Sequence, residues 1–450
     1  MKLALIGGGG VRAPLFVEAA LRRAQLLGLE EIALMDTAGE QLRLIGALCG
    51  ELARRAGAAT RITTTTSAEA AMDGADFVVT TIRPGGIDGR IADERIALKR
   101  GVLGQETTGA GGFAMALRSI PAILDYARLL ARASPKAWLF NFTNPAGLVT
   151  QALRDAGFER AVGICDSANG AQNAVARWFQ VPVESVETDV FGLNHLSFSR
   201  RAVLDGRDVL PELLADDDFL ARTSLKVFAP RVVRRHGLWL NEYLYYYYYA
   251  DKAMAALQQG QTRGEEIRVL NQGLMPRLAA AGNDTAAALD IYFDYERARS
   301  GSYMHHAVYE PASAASGGDA EEPDGEGYAG VALDLAAALG GHGAIRTGLN
   351  VTNAGAISGL EDGDVVEVSC RVDAAGIAPL AIGAMPEAQK YLVETVKHYE
   401  RLTVRAVRER SRALAVEALV AHPLVLSYSR AEPLVDDYLA AHAAYVGEWR

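Results

Sequence analysis

At 450 residues the chain is too long for one ordinary core, and a prior of about 150 residues per domain points to two or three units. Half of the residues are hydrophobic and 22% are charged, as in a soluble globular protein, and the net charge of -10 argues against a nucleic-acid partner. Three widely spaced cysteines (Cys49, Cys165, Cys370) imply no disulfide framework, and no apolar run reaches the ~18 residues that cross a membrane, so a reducing cytoplasm is the expected location.

MKLALIGGGG ends in glycines without a small-residue cleavage site and reads as a buried strand over 2–7, not a signal peptide. An amphipathic helix follows over 14–27, a strand over 31–36 that ends in Asp36, a helix over 41–57 and a short β segment over 61–67. ADFVVTTI (75–82) is a further strand. The polar stretch 82–112 reads as a glycine-rich loop wrapped round a polar ligand, with a solvated charged loop as the alternative. A helix around 115–132, a strand over 137–143, a helix over 145–157 and a strand over 161–166 complete an alternation that predicts right-handed βαβ units and a doubly wound parallel sheet. The first domain is therefore placed at 1–195. Beyond it, helices near 231–256, 261–281 and 385–416 and a strand over 364–373 predict a helix-rich mixed α/β domain over 196–450, for substrate and oligomerisation. ASAASGGDAEEPDGEGYAG (312–330) has almost nothing to bury and reads as a mobile loop.

Strand 2–7 runs into Gly7, Gly8, Gly9, Gly10, Val11 and Arg12 and then a helix. Glycines there let backbone N–H groups approach a pyrophosphate at a helix N-terminus, and Asp36 closes the next strand where a carboxylate would bind a ribose diol. With Thr81 and Asn141 these form the expected cofactor set, and Asp36 favours NAD. Four polar clusters lie at or after strand ends: 82–112 with Arg90, NFTNPAG with Asn141 and Asn144, GICDS with Cys165 and Asp166, and FGLNHLSF with His195. Each residue has a bland role too. Asn144 is a good N-cap, a lone Cys is most often a buried hydrophobe, and a lone His a satisfied core group. NEYLYYYYYADKAM (241–254) raises the same question, since aromatics usually pack and a phenol titrating near ~10 is a poor base.

Together GGGGVRAPL, RPGGIDGRIADERIALKRGVLGQETTGAGGFA, NFTNPAGLVT, GICD, GLNHL, EYL, RSGSYM (299–304), LNVTNAGAISGLEDGDVVEV and AHPLVLSYSRAEPLV resemble glycoside hydrolase family 4, most closely its 6-phospho-β-glucosidase branch. The resemblance spans nearly the whole chain. It implies a lactate/malate-dehydrogenase-like first domain, NAD, and a divalent ion, usually Mn²⁺, held by Cys165 and His195. It places Tyr243 at the family's catalytic base, Asp166 at a proposed acid that also contacts substrate, and Arg90, Asn144 and Arg299 on the sugar or its phosphate. Tyr245 stands where many members have arginine, and CDSANG lacks a common proline. The implied substrate is a phosphorylated disaccharide or aryl glycoside and the implied assembly a homodimer or homotetramer. The chemistry would be oxidation at C3, deprotonation at C2, elimination at C1, water addition and re-reduction, outside the two-carboxylate scheme. The residues alone leave two other readings, a net NAD-dependent dehydrogenase of a sugar or 2-hydroxy acid and a non-catalytic binding protein. Tyr246 and Tyr247 are expected to line the same pocket as Tyr243, and Tyr248 and Tyr249 to pack against the sheet domain or a second subunit.

Overall fold

A computed structural model describes residues 1–301, 304, 307 and 327–450. In chain order its strands are β1 (Lys2–Ile6), β2 (Glu31–Met35), β3 (Arg61–Thr65), β4 (Phe77–Thr80), β5 (Trp138–Asn141), β6 (Ala161–Gly163), β7 (Val186–Leu193) and β8 (Leu196–Leu204). There follow β9 (Arg207–Asp208), β10 (Trp239–Leu240), β11 (Ile345–Thr352), β12 (Ile357–Ser358), β13 (Val365–Asp373), β14 (Gly376–Pro379) and β15 (Gly383–Ala384).

Among the described residues the largest sheet has nine strands in the order β14-β13-β11-β6-β5-β4-β1-β2-β3. Read from the other edge, the first six run 3-2-1-4-5-6, all parallel, which is the doubly wound order of dinucleotide-binding folds. Leu3 to Ile6, Ile32, Leu34, Val78 and Val79 are wholly buried, because helices cover both faces of such a sheet and leave its strands continuously apolar. The order reverses between β1 and β4, so a ligand crevice opens at their carboxyl ends. Beyond β6 the sheet turns antiparallel through β11, β13 and β14. Strands from the second half of the sequence thus complete the sheet of the first, and residue 195 falls in the two-residue turn of the β7–β8 hairpin. A smaller sheet, β10-β8-β7 with β9 on β8, carries that hairpin.

Several expected elements differ. The stretch 82–112 is not mainly loop: Gly86–Lys99 is a helix that buries Arg90, Asp93 and Glu94. Its inward face carries Arg90 and Glu94 paired with each other and Asp93 paired with Arg118, which hides it from any search for apolar periodicity. The expected helix 231–256 is broken, because Gly237 at φ 61 ends Pro230–His236, β10 pairs with β8, and Asn241 caps a new turn. The helix near 385–416 stops at Arg410, with φ 51, and restarts after Ser411 accepts from Leu414 N. The first helix, Ala13–Arg22, is interrupted at Arg23 before Ala24–Leu27. Of the loop expected over 312–330, residues 312–326 lie outside the described residues and Gly327 opens the helix Gly327–Leu339.

Candidate active site

The glycine turn is shaped for close approach. Gly7 (φ +99) and Gly8 both donate to Met35 O, at 2.9 and 2.7 Å. A Cβ on Gly7 would lie 2.8 Å from Thr81 Oγ1, and one on Gly8 2.9 Å from Leu34 Cα. Gly9 N donates to Asp36 Oδ2 (3.1 Å), and Asp36 Oδ1 accepts from Ala38 N, which fixes the carboxylate at the end of β2. Gly10 donates back to Gly7 O, and Arg12 is the N-cap of Ala13–Arg22 without a side-chain cap. The helix therefore presents its first amides and positive dipole end beside the glycine cradle, which fits a dinucleotide pyrophosphate. Tyr292 reaches across from the helix Thr285–Gly301 and donates to Val11 O at 2.7 Å.

Along the same edge, Thr81, Asn141 and Cys165 stand at the ends of β4, β5 and β6. Thr81 donates its N–H to Ile6 O and seals the glycine turn from below. Asn141 is fully buried and works within the protein. Its Oδ1 accepts from Thr80 Oγ1 and Thr143 N, while Nδ2 donates to Thr143 O, Ala146 O and Thr150 Oγ1. It thereby shapes the turn that carries Asn144. Asn144 is half-buried and does not cap the following helix, whose N-cap is Pro145.

Cys165 and His195, far apart in sequence, meet with Sγ 3.3 Å from Nε2, and both are 6% exposed. His195 has left-handed backbone (φ 61), a conformation in which His is enriched, in the β7–β8 turn. Its Nδ1 contacts Thr107 Oγ1 at 2.7 Å, so the other ring nitrogen is oriented toward the sulfur. Burial lowers the imidazole to about 4, against Asp166 and Glu106, and leaves it neutral and able to ligate. Burial, then the charges of Asp166 and Glu367, push the Cys165 thiol up, which disfavours a thiolate there unless a cation arrives. Among the described residues no group of three His, Cys, Asp or Glu side chains could hold a metal. Two convergent S and N donors with the remaining positions open suit a divalent ion that completes its shell with substrate oxygens. Asp166 follows directly, half-exposed, and its Oδ1 accepts from Ser167 N.

Tyr243 lies over this pair. Its ring stacks on the His195 imidazole with centroids 3.6 Å apart and planes 6° from parallel. Arg90 lies behind it, paired with Glu94 (Nε–Oε1, 2.8 Å) and Glu106 (2.8 Å). Burial works against that guanidinium, but Glu106, Glu94 and the Tyr243 phenol hold it charged. Glu106, raised by burial, is brought down to about 2 by Arg83 and Arg90. Two helices close the opposite side: Arg263 donates to Arg299 O (3.0 Å), and Arg299 Nη1 to Tyr295 OH (2.8 Å). Arg263 is lowered by burial and by the charges of Arg299 and Arg90, and Arg12 and Arg299 both act on Glu296. An acidic protein thus gathers Arg12, Arg90, Arg263 and Arg299 round one cleft.

These features coincide with a known family over both halves of the chain. Residues 2–181 match the family 4 glycosyl hydrolase profile and 190–425 the family 4 glycosyl hydrolase C-terminal domain. The chain belongs to family 4 of the glycosyl hydrolases. It is 32% identical to a probable 6-phospho-β-glucosidase of Bacillus subtilis over 100% of this chain and 98% of that one. The 6-phospho-β-glucosidase of Thermotoga maritima, solved with manganese, NAD⁺ and glucose-6-phosphate, superposes with a TM-score of 0.83 at 28% identity, covering 99% of each chain. A lactate dehydrogenase from a deep-sea metagenome, at 11% identity and a TM-score of 0.52 over 90% of this chain and 98% of that one, shares the fold alone.

Within this family-4 chain the tyrosine run divides further than expected. Tyr246 packs against Tyr243 (6.1 Å), and Tyr247 lines a small cavity of about 20 Å³ with Thr107, Asn194 and Glu400. Tyr248 stacks on His236 (5.3 Å) and Tyr249 accepts from Ala229 N, so both pack on the preceding segment 228–236, not on the sheet. Tyr245 is 1% exposed between Tyr246 and Tyr249, inside the core and away from the cleft. The sequence reading missed Asn241, Arg263, Tyr292, Asn350 and Glu367. Only Glu367 carried a signal, a lone acid inside the apolar strand VVEVSC.

Proposed function

We propose that the chain is an NAD- and Mn²⁺-dependent glycosidase of 6-phospho-β-glucosides. The observation that carries the reading is the stack of Tyr243 on His195, whose imidazole also faces Cys165 at 3.3 Å. Gly7 to Arg12, Asp36 and Thr81 would hold NAD⁺, and Cys165 and His195 a divalent ion. When bound, the cofactor supplies a reversible hydride acceptor for the sugar C3–H and the ion a Lewis acid for the C3 oxygen.

The chain's own residues do the rest. Asn144 and Arg90 orient the sugar, while Arg299, with Arg263 beside it, takes the 6-phosphate as a charge-assisted contact. With C3 oxidised, the C2 proton is acidic and Tyr243 removes it as general base. The C2 electron pair expels the C1 oxygen, and Asp166 protonates the departing alcohol. Water then adds at C1, C2 regains a proton, and the hydride returns to C3, so the cofactor ends as it began.

The test is stoichiometric. A panel of aryl glucosides and galactosides of both anomers, with and without a 6-phosphate, is assayed with NAD⁺, Mn²⁺ and a thiol reductant. Release of aglycone from the 6-phospho-β-glucoside without net NADH supports the reading. Steady NADH accumulation without glycoside cleavage would sink it in favour of a dehydrogenase. Three free cysteines, one of them the proposed ligand Cys165, favour a reducing, cytoplasmic location, and we infer a homodimer or homotetramer, checked by light scattering of the eluting protein. Among the described residues no helix is long and apolar enough to cross a membrane.

A further inference from the structure

Asn241 sits where the base and the metal pair join, and it is 2% exposed. Its Oδ1 accepts from Tyr243 N at 3.0 Å, which caps the turn Glu242–Leu244 and settles which way the amide faces. Its Nδ2 then donates to two hydroxyls, Ser167 Oγ at 3.0 Å and Ser197 Oγ at 3.3 Å. Ser167 Oγ lies 3.1 Å from Cys165 Sγ. Ser197 stands at the start of β8, two residues after His195. One side chain therefore links the backbone of Tyr243 to Cys165 through one hydroxyl, and to the strand that leaves the His195 turn through another. An ordinary N-cap needs only the first of these bonds. A neutral carboxamide that spends both N–H groups on hydroxyls two residues from Cys165 and from His195 is doing more than ending a turn.

We propose that Asn241 is a positioning residue that sets the distance between the Tyr243 phenol and the Cys165–His195 pair, an inference that rests on the roles proposed above for those three residues. Its carboxamide, through the Ser167 hydroxyl, bridges the turn carrying the base and the strand end carrying the thiol. Ligand orientation by such outer contacts commonly changes metal affinity or activity by about 10–100-fold.

The test uses Asn241→Ser and Ser167→Ala in the full chain. Serine is as good a cap as asparagine but cannot reach both hydroxyls. Expected for Asn241→Ser are wild-type melting and NAD⁺ affinity, about ten-fold weaker Mn²⁺ binding by electron paramagnetic resonance, and about ten-fold slower C2 exchange. Ser167→Ala should lose a similar factor in Mn²⁺ affinity, and the double variant should be little worse than either single one, because both act on one path. Wild-type Mn²⁺ affinity and exchange in Asn241→Ser, or fully additive losses, would overturn the assignment and leave a cap. Cys165→Ser is run beside them. If it binds Mn²⁺ as the wild type does, the ion is not held at Cys165, and the site reading falls together with the inference.

Discussion

Replacing Tyr243 by phenylalanine separates the phenol's chemistry from its packing. The ring stays available to lie 3.6 Å over His195, so the imidazole keeps its cover and the half-buried site its shape. Stability should change by less than about 1 kcal/mol, as for a substitution that opens no core cavity. The chemical loss is of another size. A positioned general base contributes about 10²–10⁴ in rate, or about 2.7–5.4 kcal/mol at 1.36 kcal/mol per ten-fold. The assay is proton NMR of the C2 hydrogen of a 6-phospho-β-glucoside in D₂O with NAD⁺ and Mn²⁺. Wild type should wash the hydrogen out at each turnover, and Tyr243→Phe should slow the exchange at least a hundred-fold while binding both cofactors normally. Exchange within ten-fold of wild type would refute the reasoning and return Tyr243 to a packing role.

Gly7→Ala should weaken NAD⁺ binding more than ten-fold by fluorescence titration, because its Cβ would sit 2.8 Å from Thr81 Oγ1 at φ +99. Glu367 is raised by burial from 4.5 to about 7, against hydrogen bonds from Asn194 and Asn350. A raised carboxyl contributes stability that is present below its unfolded value and lost as pH rises through about 7, here by about 3 kcal/mol. Metal-free wild type should therefore lose stability relative to Glu367→Gln between about pH 4.5 and 7 in urea titrations, and parallel curves would refute this. Asp93 receives both Arg118 nitrogens (2.8 and 2.6 Å) and His442 Nε2 (2.6 Å) with almost no solvent. Asp93→Leu leaves Arg118 buried without its counter-charge and should cost about 3–5 kcal/mol, measured as a shift of the urea midpoint.

The sequence by itself determined the parallel half of the fold, the glycine turn with Asp36, and the family. Those features are local: a strand buried on both faces must be a continuous apolar run, and a turn against a neighbouring strand must be glycine. Cys165 and His195 were legible as polar groups at or after strand ends, but they and Tyr243 took their roles from the family resemblance, since each residue type alone has a commoner role in packing. Tertiary structure decided how they act together. It carried the β7–β8 turn to the end of β6, laid Tyr243 across His195, and buried Tyr245 among its neighbours. It also decided that the most charged stretch is a helix, because paired charges can face inward where a pattern of hydrophobic residues would be expected. A hydrogen-bond partner such as Asn241 leaves no period or motif in the chain, because the hydroxyls it joins lie 44 and 74 residues away.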